Sequence, residues 1–108
     1  MLSNEGINKL NAIEEIAKKI WDEKLQIKDV KILNYPFDAF EIKMVIYEKF
    51  DIKIEYDRSI VAINLKQQGT YENIRKIVKE EFVRGFESSK RENIEHNLRV
   101  LDNVLKNI

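Results

Sequence analysis

Asp38, Asp51 and Lys53 are the side chains best suited to chemistry in this chain. Two carboxylates can share a divalent cation that activates a bound water, and an amine beside them can position that water. Asp51 and Lys53 stand two residues apart, so on a strand they project from one face. The pattern is unspecific, because Glu41-Ile42-Lys43 repeats acid-x-Lys nearby. Other constellations are thinner. His96 is the single histidine and there is no cysteine, so a transition-metal site would have to surround one imidazole with carboxylates. Ser88 and Ser89 could supply a nucleophile, but they stand at a helix start with no glycine-bounded elbow around them. Gly6, Gly69 and Gly85 are isolated, so no phosphate-cradling loop can be assembled. No cofactor and no metal are expected.

Asp38, preceded by Pro36-Phe37 and followed by Asp51-Ile52-Lys53, resembles the core of the PD-(D/E)xK nucleases. Those enzymes place an acid on one strand and acid-x-Lys on the next. The resemblance implies a metal-dependent nuclease with Asp38 and Asp51 as ligands and Lys53 positioning water. The order helix, three strands, helix is also similar in topology to the double-stranded-RNA-binding domain. Members of that family begin their second helix with a lysine-rich run. Here the corresponding stretch reads Tyr71-Glu72-Asn73-Ile74-Arg75-Lys76, so membership does not follow. Arg75, Lys76, Lys79 and Arg84 could still serve a nucleic-acid-binding accessory protein, although Glu72, Glu80 and Glu81 interrupt the strip.

The elements that would hold these residues follow from periodicity. Ile7, Leu10, Ile13, Ala17, Ile20 and Trp21 recur at helical steps, which predicts a helix capped by Ser3 or Asn4 and running to about Glu23. Glu14–Lys18 and Glu15–Lys19 would pair along its outside. Leu25, Ile27, Val30 and Ile32 suggest an extended piece, closed by the Tyr35-Pro36 breaker. Strict alternation then predicts strands through Phe40–Ile46, Phe50–Tyr56 and Val61–Leu65, with turns near Glu48-Lys49 and Asp57-Arg58. The outward set Asp51, Lys53 and Glu55 implies a sheet with one wet face, as in antiparallel meanders. After Gln67-Gln68-Gly69, Thr70 is expected to cap a helix with Tyr71, Ile74, Ile77, Val78 and Phe82 as its stripe. Ser89-Lys90-Arg91-Glu92 reads as a capping box opening a last helix. That helix carries a seam of Ile94, Leu98, Leu101, Leu105 and Ile108. The seam can pack on the sheet, or serve as an interaction surface for a second copy or a partner helix.

The expected fold is therefore one α+β two-layer domain over residues 1–108. It has an N-terminal helix, a three- to four-stranded antiparallel sheet and two C-terminal helices. Composition narrows the function further. Nineteen basic and 19 acidic residues balance to zero net charge, so the basic excess behind non-specific nucleic-acid binding is missing. The same balance permits self-association, hence a homodimer. Apolar runs reach about four residues, far short of a membrane span, and the start has no signal-peptide pattern. The expected location is the cytoplasm. The profile fits a small non-catalytic intracellular protein-binding module, of the kind seen in regulators, inhibitors and immunity-type proteins of bacteria and their mobile elements. A protein partner is expected, a nucleic-acid partner is disfavoured and a membrane partner is not expected.

Overall fold

The computed structural model describes residues 2–33, 38–85 and 87–108. The Tyr35-Pro36 breaker lies outside them. Helix α1 spans Asn4–Trp21. Its cap is Ser3, whose hydroxyl oxygen accepts from the Gly6 N–H at 3.2 Å. Ser3 also donates to Asp38 through its N–H, at 3.1 Å, and through its hydroxyl. The helix start is thereby tied to the head of the sheet. A Cβ at Gly6 would stand 3.0 Å from Asp38 Oδ2, so a side chain there would require the Asp38 carboxylate to shift.

Five strands follow: β1 Leu25–Ile32, β2 Ala39–Ile46, β3 Phe50–Asp57, β4 Ile60–Gln67 and β5 Thr70–Asn73. They form one antiparallel meander in the order β1-β2-β3-β4-β5. The β1 register slips between Ile27 and Asp29. This bulge keeps Leu25, Ile27, Val30 and Ile32 opposite inward residues of β2 despite the three-residue step between Ile27 and Val30.

The sheet has five strands where three to four are expected, and only a single α-helix follows it where two are expected. Residues 70–82, expected to be helical, form β5 and two short 3₁₀ turns, Ile74–Lys76 and Glu80–Phe82. Local turn chemistry explains the difference. Gln68 and Gly69 both take positive φ, +51° and +82°, and fold Thr70–Asn73 back onto Asn64–Gln67. The side-chain oxygen of Asn73 then accepts from the Arg75 N–H at 3.0 Å, which ends the strand. The capping box is not formed either. Lys90 occupies the cap position, and Ser88 Oγ accepts from its N–H at 3.1 Å.

Helix α2, Arg91–Lys106, runs beside α1 and in the same direction on one face of the sheet. Glu15 pairs with Arg91 at 2.9 Å and Lys19 with Glu95 at 3.2 Å, so these α1 charges reach across to α2 and not along their own helix. Ile13, Ile16 and Ala17 of α1 and Ile94, Leu98 and Leu101 of α2 are wholly buried over Phe40, Ile42, Ile52 and Ile54. No described helix is long and apolar enough to cross a membrane.

Ile52 has no exposed surface and sits in an entirely apolar region of the core. Burying a carboxylate there costs several kcal/mol, comparable with a small domain's whole margin of about 5–15 kcal/mol. Ile52→Asp is expected to lose the cooperative thermal transition followed by circular dichroism. A native-like melting curve would contradict the core assignment.

Candidate functional site

The structure does not bring Asp38, Asp51 and Lys53 together. Ala39 pairs with Asp57 while Val45 pairs with Asp51, so the two aspartates lie at opposite ends of the β2–β3 ladder. Asp38 lies seven residues before Val45, which at about 3.4 Å each separates the two aspartates by roughly 24 Å. Asp38 is engaged with Ser3, whose hydroxyl and then N–H hold its carboxyl below the ordinary value. Lys53 does share the wet face with Asp51, but its amine lies 4.5 Å from the Tyr71 ring centre and 3.8 Å from Glu55. Burial first, then the carboxylates of Asp51 and Glu41, raises the Tyr71 phenol. Among the described residues no three His, Asp or Glu side chains converge as a metal site would require. The serine–histidine idea fails on geometry too. Ser88 Oγ accepts from Asn93 at 3.0 Å, while His96 Nε2 donates to the Phe82 carbonyl at 2.9 Å.

The Ile94–Ile108 seam, expected to be an interaction surface, is mostly spent inside the chain. Ile94, Leu98, Leu101 and Leu105 are buried against the sheet and α1, and only Ile108 of the five is exposed. The basic strip is dispersed as well, since Arg75, Lys76, Lys79 and Arg84 do not share a helix and Arg75 pairs with Glu80 at 2.8 Å.

Two polar devices that periodicity does not reveal set the position of α2. Asp102, off the apolar seam of α2, is only 6% exposed. One carboxylate oxygen accepts from Trp21 Nε1 at 2.8 Å and from the Tyr47 hydroxyl at 2.5 Å. The other lies 3.1 Å from Lys106 Nζ. Burial pushes the Asp102 carboxyl up, but the hydrogen bonds from Tyr47, Trp21 and Lys106 outweigh it and leave it below its ordinary value. Burial, followed by the bond to Asp102 and its charge, pushes the Tyr47 phenol up to about 12, so Tyr47 remains a donor at neutral pH. The second device is Asn97, also buried. Its side chain accepts from the Arg84 N–H at 2.8 Å and donates to the Arg84 carbonyl at 3.0 Å, imitating a strand partner.

Together with His96, Asn97 clamps the irregular segment after β5 against α2. Between them a groove of about 590 Å³ is left open. One wall is Ile77, Val78 and Phe82, and the other is Val100, Val104 and Ile108. Ile77, expected on the apolar stripe of a helix, is half-buried here. Phe82 is 54% exposed and Ile108 64%. Among the described residues, Lys79 is the one charged side chain in the lining, alongside Asn103 and Asn107. A groove of this kind can bind apolar side chains; it offers no nucleophile and no paired acid and base among the described residues. Comparison with protein-family models, curated proteins and solved structures finds no match.

Asp102→Ala leaves the buried Trp21 Nε1 and the half-buried Tyr47 hydroxyl without their acceptor. A stranded buried donor costs about 1–3 kcal/mol and a partly exposed one less, so urea denaturation should show a loss of roughly 2–4 kcal/mol with a red-shifted Trp21 emission. Asp102→Asn is expected to lose less. Because the folded carboxyl titrates below its unfolded value, its contribution is full at neutral pH and is lost as pH falls through the folded value. The stability gap between wild type and Asp102→Asn should therefore close on acidification below about pH 4. A gap independent of pH would contradict the assignment. Asn97→Ala removes two backbone partners at about 1 kcal/mol each and should raise amide hydrogen exchange across residues 77–85 more than in the sheet.

Proposed function

We propose that this protein is a small non-catalytic protein-binding module, of the regulator, inhibitor or immunity type, whose groove beside α2 receives an amphipathic helix of its partner. The observation that carries this reading is the groove itself: a concave apolar surface with Phe82 and Ile108 left largely in water. Contiguous exposed apolar surface of this kind marks interaction sites in soluble domains. The helical part of that wall, Val100 to Lys106, is about 9 Å long at 1.5 Å per residue, enough for helix anchors at i and i+4, and Ile108 extends it. Lys79, the charge that lines the rim, favours an occupant with a carboxylate there. The nucleic-acid readings have no comparable support, given the separated aspartates and the dispersed cations.

Affinity capture from the producing cells, followed by titration of the captured protein against variants, tests the reading. Val104 is half-buried on the groove wall, so Val104→Asp should keep a melting temperature within a few degrees of wild type. It should lower partner affinity at least tenfold, whereas Lys43→Glu on the wet sheet face should leave it unchanged. Equal binding by wild type and Val104→Asp would overturn the proposal.

A further inference from the structure

β1 is an edge strand of the sheet. Its end and the residue after it carry three of the large apolar side chains left in water: Val30 at 36%, Ile32 at 49% and Leu33 at 44% exposed. A strand edge with its backbone groups open is a template for a further strand. The charges beside those apolar residues select what that strand can be. Asp29 and Lys31 project to the wet face, opposite Lys43 and Glu41 of β2, and neither forms an ion pair among the described residues.

We propose that a second copy of this chain adds to the β1 edge, antiparallel about a twofold axis through Val30. In that register Asp29 of each copy lies opposite Lys31 of the other, and Val30 meets Val30. The neighbouring registers are unfavourable. Moving the axis one residue towards the end of β1 sets Lys31 against Lys31, and moving it one residue back sets Asp29 against Asp29. Like charges directly opposite on a sheet repel, and opposite charges attract. In the Val30 register the charge row across the junction runs Glu41, Lys31, then Asp29 and Lys43 of the second copy, alternating in sign. The bulge at Lys28 bends the strand just before this stretch and confines pairing to the residues after it. The zero net charge of the chain leaves no long-range repulsion between copies. The contact is small, so the dimer is concentration-dependent. This interface is separate from the groove beside α2 and stands or falls independently of it.

Sedimentation velocity over a concentration series reads the outcome. Wild type is expected to shift from monomer to dimer as concentration rises. Asp29→Lys and Lys31→Asp each place like charges across the junction and should remain monomeric at concentrations where wild type is dimeric. An equimolar mixture of the two variants restores opposite charges at both positions and should dimerise. Melting temperatures near wild type show that the single variants are folded. A wild type that stays monomeric at millimolar concentration would overturn the proposal, and so would single variants that dimerise like wild type or a mixture that remains monomeric. Loss of the dimer in Val104→Asp with no effect of the charge variants would place self-association at the groove and refute the β1 interface.

Discussion

A helix whose only specification is an apolar stripe can roll on a sheet by a fraction of a turn at small cost, because one aliphatic contact replaces another. Asp102 removes that freedom from α2. A buried carboxylate left without partners would cost several kcal/mol. Its donors come from two distant regions of the chain: Trp21 at the end of α1 and Tyr47 in the β2–β3 turn. Rolling α2 away from them would break both bonds. Tyr47 itself sits at φ +57°, a left-handed conformation that costs a non-glycine residue about 1–2 kcal/mol. The hydroxyl contact with Asp102 fixes the side chain in that conformation. Three elements are thus held by one side chain.

Once α2 is fixed on that side, its opposite flank is fixed too. Asn97 and His96 point towards the segment after β5, and they hold it by its backbone. Ile74 is buried in the core and Ile77 and Val78 pack against it, but the backbone bonds at Phe82 and Arg84 hold the end of the segment without burying Phe82. The Phe82 carbonyl is bound by His96 while its ring stays mostly in water. The groove therefore has an inner wall packed on the core at Ile77 and Val78, and an outer end at Phe82 held by polar anchoring of backbone, which leaves the Phe82 ring outside the core.

Much of this architecture is legible in the sequence. Two-residue alternation places Phe40, Ile42, Ile52 and Ile54 on the buried face, and the three-residue step between Ile27 and Val30 is the trace of the β1 bulge. A cap of α1 at Ser3 or Asn4 and Trp21 on the apolar face of α1 also follow from local pattern; the structure puts the cap at Ser3 and Trp21 in the core. Residues 70–82 do not. Their apolar spacing copies a helix, and only the Gln68-Gly69 turn and the Asn73 side chain direct them otherwise. A glycine followed by the strand-favouring pair Thr70-Tyr71 is the available signal. Asp102 and Asn97 are illegible for a different reason. Each looks like an ordinary outward residue of an amphipathic helix, and its partners lie 81 and 13 residues away. The seam from Ile94 to Leu105 is plainly apolar, but sequence alone does not say whether sheet or partner covers it.

The groove as a docking surface is the central claim, and methyl-resolved nuclear magnetic resonance with the captured partner tests it most directly. Upon titration, the expected shifts fall on the methyls of Ile77, Val78, Val100, Val104 and Ile108, with those of Ile42 and Ile52 in the core unmoved. Shifts confined to the β1 edge or to Val45 and Ala62 on the open sheet face, with the groove methyls silent, would contradict it.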